Sequence, residues 1–278
     1  MHKYSNHSFV ASGGLVSYVE KSTQAKPFCG NTGLSRQVRE IPKQAATSDR
    51  GVVMSPALPL SRRDIQRTLM AWVEPLLLQG SRASLAPLAQ SHASDLVEAV
   101  GDGELWKLWY TSIPAPDQMA GFIDQRLVAL AKGTCIPFAV FDNGTGKAVG
   151  MTNYLNVEPD HRRLEIGGTW YRKSVQRSEL NTECKLLLLG HAFDTLRSIA
   201  VEFRTHFFNH QSRRGIERLG AKLDGILRSH QLASDGTLRD TCVYSIIASE
   251  WPTVKSHLTF QMQRWRDNAA CRPSADER

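Results

Sequence analysis

Nowhere in its 278 residues does this chain carry 18 uncharged apolar residues in succession, so no membrane-spanning helix is expected. A secretory signal is not expected either, because the apolar stretch from Val10 to Val19 is broken by Ser12, Gly13, Gly14 and Ser17. Cysteines are few, odd in number and scattered (Cys29, Cys135, Cys184, Cys242, Cys271), with no C-x-x-C pair. That usage suits a reducing, cytoplasmic setting. His206 and His210 have i,i+4 spacing but lack a third ligand, so no metal is expected.

Most of the chain also lacks an excess of one charge. The net charge is +7, yet residues 1–69 hold ten Lys/Arg against four Asp/Glu, whereas residues 70–278 hold 24 against 23. The basic excess belongs to the first stretch, and the nearly neutral remainder gives no electrostatic reason for direct nucleic-acid binding. Residues 1–69, rich in Ser, Gly, Gln and Thr without sustained periodicity, read as a disordered basic extension with a short helix near Ser61 to Met70. A domain is expected over residues 70–268, followed by a loose tail, 269–278. With 41% apolar residues the chain can build a sizeable core.

The element signals within that domain are local and legible. Arg82 to Leu88 reads as a first strand, and a helix runs to Val100. The aromatic cluster Leu105-Trp106-Lys107-Leu108-Trp109-Tyr110 follows, and then a helix from Gln118 to Ala131. Asp142-Asn143-Gly144-Thr145-Gly146 between two apolar runs is a hairpin turn. In the strand Arg163 to Tyr171, simple alternation puts Leu164, Ile166 and Trp170 on one face and Glu165, Thr169 and Tyr171 on the other. Its central pair, Gly167-Gly168, permits a bulge where a ligand backbone comes close. Asn181 or Thr182 is expected to cap a leucine-rich helix, Cys184 to Leu196. Then come a strand Val201 to Thr205, a helix from Asn209 stopping at Gly220, two strands (Lys222 to Ser229, Asp240 to Ala248) and a terminal helix to about Trp265.

This order of elements, together with Trp106 to Thr111, Arg163 to Gly167, Trp170-Tyr171, Asn181 to Leu188, Asn209 with Ser212, Leu219 to Ala221 and Asp224-Gly225, resembles the GNAT superfamily of N-acetyltransferases. The branch it resembles includes the ribosomal-protein N-terminal acetyltransferases. The resemblance covers about residues 70–265. It implies an α/β (α+β) fold with a mixed, mostly antiparallel sheet of about seven strands flanked by helices. It also implies acetyl-CoA as acyl donor, an amine acceptor that is a peptide N-terminus or a small molecule, and a possible homodimer.

By the same resemblance, acetyl-CoA lies where Arg163–Tyr171 and Val201–Thr205 splay apart. Its pyrophosphate sits on the loop and first helical turn formed by Gln176, Arg177, Ser178, Glu179, Leu180, Asn181 and Thr182, where free N–H groups and the helix dipole meet the charge. Glu179 and Asn181 stand where relatives have glycine. Asn209 either binds the pantetheine arm or only caps its helix. Ser212 faces the thiol or fills space. The tyrosine that many relatives use as general acid is replaced by Ile216, so Ser212 or an ordered water serves, or the thiolate leaves unassisted. Trp106, Trp109, Tyr110 and Tyr171 would shape the acceptor pocket. Glu165 is the candidate general base, against a reading as a strand-surface carboxylate beside Arg163. Glu179 and the absent tyrosine also motivate a second reading, a GNAT-fold binding module without turnover.

Overall fold

The computed structural model describes residues 72–233 and 235–270. The expected helix near Ser61 to Met70 and the extension lie outside the described residues, as does the expected tail, 269–278, except for residues 269–270, which continue the terminal helix. The strands are β1 (Leu78–Gln79), β2 (Ala83–Pro87), β3 (Cys135–Asp142), β4 (Lys147–Glu158), β5 (Arg163–Tyr171), β6 (Ala200–His206), β7 (Lys222–Leu232) and β8 (Leu238–Ile247). The α-helices are α1 (Ala93–Gly101), α2 (Met119–Ala131), α3 (Glu179–Gly190), α4 (His210–Arg218) and α5 (Trp251–Ala270). One sheet of eight strands, in the order β1-β2-β3-β4-β5-β6-β8-β7, holds them together. The sequence reading of about seven strands missed β1, a two-residue pair against Leu85 and Ser84 too short to show periodicity.

Every neighbouring pair is antiparallel except β5–β6. That parallel step requires a crossover, and α3 supplies it. The helix extends past Gly190 as a π-helical turn, His191–Thr195, where a wider coil delivers Asp194 to the α5 side. Its carboxylate accepts from Trp251 Nε1 and Lys255 Nζ, both at 2.8 Å. Two apolar cores result, one on each face of the sheet. Leu164, Ile166, Tyr171, Leu180, Leu188 and Trp251 belong to the core beneath α3 and α5. Leu96, Ile123, Met151 and Trp170 belong to the core beneath α1 and α2.

α3 is fastened at its start by a side chain that reads in sequence as an ordinary first-turn glutamate. Glu183 is only 5% exposed. Its carboxylate accepts from Ser81 N (2.9 Å), Ser81 Oγ (2.8 Å), Arg82 N (2.7 Å) and Ala83 N (2.7 Å). The turn between β1 and β2 is thus folded around an anion. Gly80 permits it, because a Cβ there would lie 2.5 Å from Glu183 Cδ.

β4 and β5 lie unusually close at Gly150, where a Cβ would be 2.2 Å from the Trp170 carbonyl oxygen and 2.8 Å from Tyr171 Cα. Neither obstacle is a movable side chain. Gly150→Ala is therefore expected to destabilise the domain by about 1–3 kcal/mol, read as a lower urea midpoint at unchanged m-value; an unaltered midpoint would show that the two strands can part without cost.

Candidate active site

The parallel pairing of β5 with β6 covers only Arg163↔Ala200, Leu164↔Val201 and Glu165↔Glu202. Beyond Glu165 the two strands have no common register, and β5 from Ile166 onward keeps only β4 as a partner. The result is a wedge, closed at Glu165 and open toward His206 and Tyr171.

A bulge in β5 borders the opening. The register against β4 shifts between Met151 and Asn153, Gly168 has φ +57°, and Asn153 Nδ2 donates to the Gly167 carbonyl at 3.0 Å. The Gly167-Gly168 pair permits this, as its composition implies. The effect on facing is a correction: the extra residue shifts the alternation by one, so Trp170 falls in the α1/α2 core and Tyr171 in the α3/α5 core. Simple alternation assigns them the other way round. Thr169 is half-buried and points to the α3 side, where its Oγ1 is 2.8 Å from that of Thr152.

Glu165 stands at the vertex on the α1/α2 face, 6% exposed. Gly167, two residues on, has no side chain to displace it: a Cβ would sit 2.5 Å from Glu165 Oε1. Asn156 Nδ2 donates to Oε2 at 2.7 Å, and Arg204 Nε lies 3.6 Å away. Burial pushes the carboxyl upward, and the Arg204 charge and the Asn156 bond offset this only in part. Arg204 is shared with Glu202, to which Nη2 donates at 2.8 Å, and Glu202 also pairs with Arg163. Glu165 is thus a desolvated carboxylate within a charged group, and its expected neighbour Arg163 is bound to Glu202 instead. Asn156, Arg204 and Glu202 do not stand out in the sequence. Glu202 and Arg204 have as their only sequence signal the period-2 spacing they share with His206 on β6, and Asn156 on β4 has none.

At the open end, Trp109 and Tyr110 from the loop after α1 gather around His206. Trp109 meets the imidazole edge-on at 5.0 Å, and Phe208 stacks on it at 5.8 Å. Trp109 and Phe208 remain 58% and 56% exposed, large aromatics facing an opening. Phe208 N–H donates to His206 Nδ1 at 3.1 Å. Burial and the Arg239 charge lower the imidazole's affinity for protons, so His206 is a neutral wall with its N–H on Nε2. Trp106 packs instead against the α1/α2 core. Tyr171 is 7% exposed on the opposite face, so the structure does not bring it into the aromatic rim.

The loop leading into α3 begins with Gln176, whose Nε2 donates to the Tyr171 carbonyl at 2.9 Å. Arg177 takes φ +62°, and Ser178 caps the helix by accepting from Leu180 N. The cap is therefore three residues before Asn181, and Asn181 and Thr182 lie inside the first turn. Leu180 and Thr182 have fully buried side chains, so they offer only backbone to this end. Glu179 turns away from the loop and meets Arg82 Nε at 3.4 Å; that guanidinium also holds Asp142 at 3.1 Å. Asn209 caps α4, its Oδ1 accepting from Ser212 N at 3.0 Å, which leaves its amide N–H₂ as the part able to serve an arm. Ser212 is half-buried in that first turn. Among the described residues no group of three or more His, Cys, Asp or Glu could hold a metal ion.

A wedge between parallel strands, with free backbone N–H along one wall and a helix N-terminus at its mouth, fits a long ligand ending in phosphates. A family model described as Acetyltransferase (GNAT) domain matches residues 82–222, just over half of the chain. A protein from T. thermophilus that bears an acetyltransferase name is 31% identical over 68% of this chain and 98% of its own, with TM-score 0.61. A GCN5-related N-acetyltransferase from Brucella melitensis is 28% identical over 67% of this chain and 85% of its own, with TM-score 0.61. At 19% identity, Mycobacterium smegmatis RimJ in complex with CoA-disulfide shares the fold, with TM-score 0.59 over 68% of this chain and 96% of its own. No curated protein matches. By the span of the family model and by its likeness to the T. thermophilus protein, the chain belongs to the GNAT acetyltransferase family.

Proposed function

We propose that the protein is an acetyl-CoA-dependent N-acetyltransferase that moves an acetyl group to a primary amine by direct attack on the thioester. The observation that carries this reading is the wedge itself, with a buried carboxylate of raised proton affinity at its vertex. Acetyl-CoA supplies the activated acyl group, and the first-turn N–H groups of α3 with the Gln176–Ser178 loop are the natural holders of its pyrophosphate. The acceptor's ammonium loses two protons on becoming an amide N–H: Glu165 takes the first before attack and passes it to solvent, and takes the second as the amide forms. Trp109, Tyr110, His206 and Phe208 form the wall past which the acceptor enters. That acceptor is a peptide N-terminus or a small amine.

The reading as a binding module without turnover loses one of its motives. Glu179 is engaged by Arg82, so its charge is partly compensated and aimed away from the loop.

Binding is tested by thermal unfolding. Acetyl-CoA at a hundred times its Kd is expected to add about 2.7 kcal/mol of stability; no shift with either acetyl-CoA or CoA would sink the proposal. Turnover is then screened on N-terminal peptides, polyamines, amino acids and aminoglycosides. Binding with no turnover across that panel would favour the binding module.

A further inference from the structure

α3 carries a lysine where its neighbours are apolar. Lys185 is 5% exposed and lies on the sheet side of the helix. Its Nζ donates to Thr169 Oγ1 at 2.8 Å and approaches Thr152 Oγ1 at 3.4 Å. Among the described residues no carboxylate pairs with it. Glu183 on the same helix is engaged by the β1–β2 turn. Cys184 and Tyr171, the titratable groups beside it, are both pushed upward by burial, Cys184 to about 12, and so are neutral. Tyr154 on β4 donates its hydroxyl to the Leu188 carbonyl and lies 3.3 Å from Nδ1 of His191, just past the end of α3. A buried ammonium without a counter-charge is costly, and two hydroxyls do not neutralise it.

Thr169 connects this ammonium to the wedge. It follows the bulge directly, on the part of β5 that has lost its β6 partner, and it is half-buried rather than buried. Resting on the acetyl-transfer reading above, we infer that Lys185, acting through the Thr169 hydroxyl, returns a proton to the sulfur of CoA as the acyl group leaves. The carbon–sulfur bond breaks with its electron pair on sulfur. The Thr169 O–H proton passes to that thiolate while Thr169 takes one from Lys185 Nζ, leaving a neutral amine. Glu165, having passed the ammonium's first proton to solvent before attack, holds the second proton that nitrogen loses as the amide forms, and exchange with solvent then deprotonates Glu165 and recharges Lys185. The donor that Ile216 cannot supply is then a lysine on the opposite wall. Burial lowers Lys185 to about 8, so it is charged at neutral pH yet able to release a proton.

The experiment uses the full chain with Lys185→Met, Thr169→Val and Thr169→Ser. The pKa of the CoA thiol in the bound complex is measured by thiolate absorbance, alongside the pH dependence of kcat. In the wild type the bound thiol is expected to titrate at least tenfold more readily than free CoA, and kcat to fall above about pH 8, the value to which Lys185 is lowered. Lys185→Met and Thr169→Val should each abolish the thiol shift and the alkaline limb and lower kcat about 100-fold, with Thr169→Ser restoring both. Lys185→Met should also raise Tm, which separates loss of a proton donor from loss of structure. Should Lys185→Met fail to fold, the near-isosteric Thr169→Val carries the test. A wild-type protein that binds CoA with an unshifted thiol, or Met and Val variants that keep the alkaline limb, would overturn the inference alone. A wild-type protein that does not bind CoA at all would overturn the acetyl-transfer reading with it.

Discussion

Glu183→Ala is expected to lower the stability of the domain by about 3–5 kcal/mol, the range for removing one partner from a buried charged network. The loss is large because the carboxylate satisfies three consecutive backbone donors, those of Ser81, Arg82 and Ala83, together with one hydroxyl. Without it the β1–β2 turn converges on nothing. Glu183→Gln should recover little, since its amide N–H₂ would confront backbone N–H groups. Burial raises the proton affinity of this carboxyl, but the bonds from Ser81, Ala83 and Arg82 outweigh it, so the folded pKa lies below the unfolded 4.5. A depressed carboxylate contributes stability that is fully present above pH 4.5 and disappears as pH falls through the folded value. Urea melts at about pH 7 and near pH 3 should therefore show a gap between wild type and variant that narrows in acid. At neutral pH the Tm difference should be roughly 6–20 °C. A gap independent of pH would mean that the side chain acts by packing alone.

Glu165→Gln is the second large effect, a fall in kcat of about 10²–10⁴ with little change in the acetyl-CoA requirement. Gln keeps the shape and can still accept from Asn156, so the wedge should survive. What it cannot do is hold a proton. In the wild type kcat should decline on the acid side, through a pKa raised by burial against the pull of Arg204. That limb should vanish in the variant. If it persisted at reduced height, the titrating base would be elsewhere and Glu165 would only position the acceptor.

The parts of this architecture legible in the sequence are those specified locally. The Asn-Gly turn between β3 and β4, the glycine pair in β5 and the apolar stripe of α3 each declare themselves within a few residues. Facing within β5 is not legible past Gly168, because a bulge changes phase without changing composition. The α3 cap is misplaced by sequence reasoning because Asn181 and Thr182 are good caps by type, whereas Ser178 holds the position through its bond to Leu180 N. Glu183 and Lys185 resemble the surface charges of an amphipathic helix. Their burial depends on partners about 100 residues away in the first case, and 33 and 16 residues away in the second. The same holds for the group around Glu165, assembled from β4, β5 and β6.

The brevity of the β5–β6 seam also fixes where the molecule can yield. Among the described residues, three positions are the only strand pairing between the half of the sheet that carries α1 and α2 and the half ending in β7, though the core beneath α3 and α5 packs across both. Any relative rotation of the halves would therefore pivot on Arg163 to Glu165. Displacement grows with distance from a pivot. Four residues further along β6, about 13 Å away at strand rise, His206 and its aromatic neighbours would travel roughly 1 Å for each 5° of opening. Glu165, on the axis, would scarcely move. Any such opening would widen the rim while the carboxylate kept its aim.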